Sequence, residues 1–131
     1  MICMNTLQDW TIDVGKRAFG DASVNDPQER LLRFAEEAFE LMQAGGLTFS
    51  EVLGMQQYVY NRPVGEIKQE IGGVANCLFG LCHAHDLTLA KVAGDETFRV
   101  ASNIETIRAK NAGKPARVRS AKLQQEMGDV A

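Results

Sequence analysis

Four glutamates carry the chemistry this sequence offers. Glu36, Glu37 and Glu40 share one predicted helix, and Glu70 lies on another. At 100° per residue, Leu31, Phe34, Ala35, Ala38, Leu41 and Met42 form the apolar face of the first helix, with Glu29, Arg33, Glu36 and Glu40 opposite. Taken alone, that opposite side reads as a solvated face on which Glu29 and Arg33 make a weak i,i+4 pair. Glu37 differs, because it borders the apolar face beside Phe34 and Leu41, one turn from Glu40. Glu70 is the sharper anomaly: it shares a side with Val74, Cys77 and Leu81, a stripe expected to be buried. A buried carboxylate must be protonated, be paired with a cation such as Arg33, or coordinate a metal. Carboxylate oxygens drawn from two helices suit a hard ion, magnesium or manganese.

The elements that must position these groups are helical. No run of alternating β-branched residues is long enough for a strand, so the chain reads as all-α. A first amphipathic segment spans about Thr6 to Phe19. Asp26-Pro27-Gln28-Glu29 then supplies an N-cap, a proline at N1 and a glutamate at N3, opening a helix that Gly45-Gly46 ends near Ala44. Thr48-Phe49-Ser50-Glu51 repeats the signature for a shorter helix closed by Asn61 and Pro63. A further helix is predicted over Val64 to His83, a short turn from Thr88 to Ala93, and a last helix capped by Asp95 and running to Asn111. Arg108 to Lys122 holds six basic residues and no acidic one, a basic tail that either folds over a bound ligand or stays mobile after residue 113.

Composition bounds the partners. One domain, 1–131, accommodates 131 residues of which 45% are hydrophobic. Fourteen Lys and Arg against 17 Asp and Glu give a charge of -3, which argues against nucleic acid as a partner. Ile71 to Ala84, the longest uncharged stretch, is too short and too rich in glycine for a membrane span and reads as a core helix. The first ten residues lack a basic segment followed by an apolar run, so a cytoplasmic protein is expected. Cys3, Cys77 and Cys82 have no metal or disulfide spacing and read as reduced packing residues.

Glu36-Glu37-Ala38-Phe39-Glu40, followed by Glu70-Ile71-Gly72-Gly73, resembles the EExxE and ExxD pair of the MazG-like all-α nucleotide pyrophosphohydrolases over roughly Gln28 to Lys110. The resemblance implies a MazG-like bundle of four to five helices, assembled as a homodimer or homotetramer. It also implies splitting of a nucleoside triphosphate into monophosphate and pyrophosphate with Mg2+ or Mn2+. Glu37, Glu40 and Glu70 would be metal ligands and Glu36 the catalytic base. The Glu-x-Gly-Gly-Val segment from Glu70 to Val74 is similar to the phage MazZ-type branch, which implies dGTP as substrate. Two features depart from the family: Gly73 stands where ExxD has aspartate, and the Thr48 to Asn61 helix lengthens the interval before Glu70.

Candidate substrate contacts are Trp10, Arg33, Asn76, Arg108 and Lys110. Trp10 can stack on a base or fill the core. Asn76 shares a small-residue face with Gly72, Gly73 and Gly80, suited either to close helix packing at a subunit interface or to a nucleotide lying across it. Arg108 and Lys110, with Lys114 and Arg117, offer cations to phosphates, or form a solvated basic tail. His83 and His85 lack a carboxylate at Glu-x-x-His spacing, which argues against a di-iron bundle. The rival to a hydrolase is a nucleotide-binding or interaction module of the same fold that no longer turns over.

Overall fold

The computed structural model describes residues 3–128, with side chains as far as Gln125, and is helical without a strand among them. The α-helices are α1 (Met4–Phe19), α2 (Asp21–Asn25), α3 (Pro27–Ala44), α4 (Phe49–Tyr60), α5 (Ile67–Ala84), α6 (Leu89–Ser102), α7 (Ile104–Ala112) and α8 (Ala121–Gly128), with a 3-10 turn over Ala116–Val118. The all-α expectation holds, although eight helices among the described residues exceed the four to five implied by the resemblance. None of them is long and apolar enough to cross a membrane.

Two of the extra pieces have local causes. Gly20, at φ +83°, turns the chain out of α1 and into α2. Beyond Thr88, the expected break before Asp95 is absent and α6 runs through it. Gly94 stays helical against Leu7 of α1, and Lys91 and Asp95 bridge the turn at 2.6 Å. The break falls instead at Asn103, where Ser102 Oγ donates to Phe98 O and Asn103 Nδ2 donates to Arg99 O, diverting the last carbonyls of α6 to side chains.

The chain divides into two units, one containing residues up to Phe34 and from Leu89 onward, the other Ala35–Thr88. In the first, α1 packs on α2, α6 and α7. Leu7, Val14 and Ala18 of α1, Val24 of α2 and Leu123 of α8 are its buried apolar residues. Thr11 and Thr97 hydrogen-bond through their hydroxyls at 2.9 Å between α1 and α6, so even the polar positions of this interface are paired.

The largest fully buried side chain in this unit is a glutamate. Glu29, 1% exposed, accepts the Ser120 backbone N–H at 2.9 Å and faces Arg33 Nε at 3.3 Å, while Arg33 Nη2 donates to Val118 O. The solvated face expected for Glu29 and Arg33 is therefore wrong. The chain after residue 113 folds back onto the start of α3 and covers both. Asp26 caps α3 by accepting Gln28 N at 3.0 Å, and its other oxygen accepts the Ser120 hydroxyl at 2.6 Å. Glu29 thus serves the tail rather than completing a capping box. Arg119 and Ser120, at the centre of the basic tail, are buried.

The second unit has the opposite character. No residue from Ala35 to Thr88 is buried, and α3, α4 and α5 make only marginal contact with one another. Local signals nevertheless define its elements sharply. Thr48 and Glu51 form the predicted reciprocal capping box. Gly46, at φ +93°, ends α3 in a Schellman turn, with Leu47 N donating to Met42 O and Gly46 N to Gln43 O. The same turn closes α5, but there Asp86 takes the left-handed position, at φ +56°.

Two predictions follow from these junctions. The Ser120 hydroxyl, above all, holds the Asp26 carboxyl below its ordinary range. A lowered folded-state value stabilises fully above the unfolded value, and that contribution is lost as pH falls through the folded one. Ser120→Ala is expected to flatten the fall in stability between about pH 5 and pH 2, measured as urea midpoints across that range. Asp86→Gly relieves the strained backbone at the end of α5 and is expected to add up to about 1 kcal/mol, read from hydrogen exchange of the last turn of α5.

Candidate metal and nucleotide site

All four candidate carboxylates belong to the second unit. Glu36, Glu37 and Glu40 occupy α3, where Glu36 is half-buried and Glu37 and Glu40 are exposed. Glu70 lies in the first turn of α5, whose N-cap is Glu66, accepting Gln69 N at 3.0 Å. Glu70 is exposed, against expectation, because nothing covers the stripe it shares with Val74, Cys77 and Leu81. The helix from Ile71 to Ala84 is likewise not a core helix within this chain. Cys3 and Cys77 are exposed and Cys82 is half-buried, so the first two do not act as packing residues here.

The Glu70 carboxylate folds back over Gly65. A Cβ at Gly65 would overlap Glu70 Oε1, so the absence of a side chain at 65 is what admits this rotamer. Among the described residues, no group of three or more His, Cys, Asp or Glu could hold a metal ion. Glu37, Glu40 and Glu70 therefore do not converge within one chain. Their oxygen donors match magnesium by chemistry, whereas their placement in a single copy does not assemble a full set.

The small-residue face on α5 is open. A Cβ at Gly72, Gly73 or Gly80 would meet nothing within 4 Å, and Asn76 beside them is exposed. Among the described residues no helix packs closely there.

The remaining candidates lie in the first unit. Trp10 is half-buried on α1. Arg33 is committed to Glu29 and to the Val118 carbonyl, a structural role in place of the expected substrate contact. Arg108 Nε donates to Ala18 O at 3.3 Å and its Nη2 to Arg17 O, so this guanidinium satisfies carbonyls left open at the end of α1. Lys110 is exposed in the last turn of α7. Sequence reasoning missed Arg119, which lines a cavity with Arg108. Nothing in the basic run from Arg108 to Lys122 sets Arg119 apart, because its burial depends on residues distant in sequence.

No protein-family model, no curated protein and no solved structure matches this chain.

The Gly65 contact yields a direct test of how Glu70 is held. The clashing atoms are the far end of a flexible side chain, so Gly65→Ala should fold with a loss within about 0.5 kcal/mol. It should turn the Glu70 carboxylate away, seen as a changed carboxyl 13C shift of Glu70 at neutral pH.

Proposed function

We propose that this chain is a metal-dependent nucleoside triphosphate pyrophosphohydrolase of the MazG-like kind, working as a homo-oligomer. It converts a deoxynucleoside triphosphate, dGTP foremost, to the monophosphate and pyrophosphate. The observation that carries the reading is the set of four glutamates, Glu36, Glu37, Glu40 and Glu70, on two helices of one unit, beside an open glycine face on α5. Hydrophobic residues around them support assembly: Phe49 and Tyr60 are 83% exposed, Val64 fully, and Phe39, Ile67, Ile71 and Phe79 about half or more. Apolar surface on that scale calls for a partner surface, and a second copy brings a second set of carboxylates with it.

Drawn from more than one copy of the chain, Glu37, Glu40 and Glu70 would hold the Mg2+ or Mn2+. When bound, the ion neutralises phosphate charge and polarises the phosphorus. Glu36 takes a proton from the water that attacks the α-phosphorus, and pyrophosphate leaves. The open face with Gly72, Gly73 and Asn76 gives the nucleoside a surface that no side chain occupies, and Lys110 adds a cation for the phosphates. Gly73 and the dispersed carboxylates of the single chain favour one second reading, a nucleotide-binding module of this fold without turnover.

Pyrophosphate release from a panel of ribo- and deoxynucleoside triphosphates, with magnesium, manganese or chelator, separates the two. Metal-dependent release with dGTP preferred, lost in a folded Glu70→Gln variant, supports the hydrolase. Nucleotide binding without release supports the module, and full activity in Glu70→Gln refutes the site. In light scattering, a mass of two or four times 14.4 kDa is expected, and a monomer overturns the assembly.

A further inference from the structure

A cavity of about 460 Å³ opens in the first unit, walled by the end of α1, the start of α2, α7 and the tail. Phe19, Ser23, Arg108, Asn111, Arg119 and Leu123 line it, and among the described residues no carboxylate does. Arg119 is only 6% exposed. Its Nη2 donates to Asn111 O, but its Nε is buried with no hydrogen-bond partner. Arg108 spends its Nε and Nη2 on the carbonyls of Ala18 and Arg17. Among the described residues neither arginine forms an ion pair.

A guanidinium does not shed its proton in a protein. Burying one without a counter-charge is costly, and main-chain carbonyls return only partial charge. The buried Arg119 guanidinium therefore calls for an anion, and the exposed Arg108 on the same wall offers a second cation, so a dianion answers both. Phosphate monoesters carry a charge of about -1.5 to -2 near neutral pH and offer oxygens matched to the arginine fork. The other walls, Phe19 and Leu123 with Ala18 and Ala112, are apolar and suit a flat or hydrophobic body. The volume falls within the usual range of small-molecule sites, about 300 to 1,000 Å³.

We propose that this cavity binds a small phosphate monoester, its phosphate between Arg108 and Arg119 and its body over Phe19 and Leu123. The site is independent of the hydrolase reading, since it contains none of Glu36, Glu37, Glu40 or Glu70. Titration calorimetry and amide NMR on the full chain, with chelator present to remove any metal-dependent binding, test it. The probes are inorganic phosphate, phenyl phosphate, guanosine 5′-monophosphate and benzoate.

Phenyl phosphate is expected to bind saturably, about tenfold more tightly than inorganic phosphate or benzoate, and to move the Arg119 Nε–H, Ser23 and Phe19 resonances. Binding of guanosine monophosphate at the same resonances identifies a nucleotide as the source of the ester, and its failure beside phenyl phosphate binding identifies a smaller ester. Arg108→Gln should weaken phenyl phosphate at least about tenfold, as should Arg119→Lys, which keeps the charge and loses the buried Nε donor. If Arg119→Lys does not fold, Arg108→Gln on its exposed position decides. No saturable binding of any phosphate, benzoate binding as tightly as phenyl phosphate, or unchanged affinity in Arg108→Gln overturns the proposal.

Discussion

The buried carboxylate of Glu29 is the constraint around which the first unit is organised. It sits in the first turn of α3 and is met by a backbone N–H from Ser120, 91 positions later, and by the Arg33 guanidinium one turn on. An ionised group so enclosed is tolerable only while these partners stay in place. Asp26 shares Ser120 with it, taking the hydroxyl while Glu29 takes the N–H. One serine thus ties both acids at the head of α3 to the tail. The same fold-back brings Arg119 against Asn111 and beside Arg108, so the cavity and its two cations arise from the anchoring of the tail.

The second unit lacks any comparable anchor. Its helices are specified by caps and turns that act within a few residues: Thr48 with Glu51, the Schellman turns at Gly46 and Asp86, and Glu66 over Gln69. Such devices set where a helix starts and stops but bury almost nothing, and tertiary packing normally supplies most helical stability. Ala35 to Thr88 keeps Phe, Tyr, Ile and Val side chains in water. The candidate carboxylates and the bare apolar surface therefore occur on the same stretch of the chain.

What could be read from the sequence divides along the same line. The all-α class, the ends of α3 and the box at Thr48 were legible because they depend on neighbours within one or two turns. Glu29 and Arg33 were misread as solvated, because periodicity places a residue on a face without saying what arrives to cover it. Glu70 was misread in the opposite sense, since a stripe that looks like core within a helix stays open when no element of the chain docks there. The capping residues Thr88 and Asp95 predict a break between Ala93 and Asp95, but α6 runs through it, with Lys91 and Asp95 bridged across that turn.

The first unit is built from the two outer stretches of the sequence, with the whole second unit threaded between Phe34 and Leu89. Its closing contacts therefore have a late place in time. During synthesis, Asp26 and Glu29 are made well before Ser120, and for that interval the head of α3 holds its two acids without the group that later satisfies both. The contacts that close the head of α3 thus wait for the residues around Ser120.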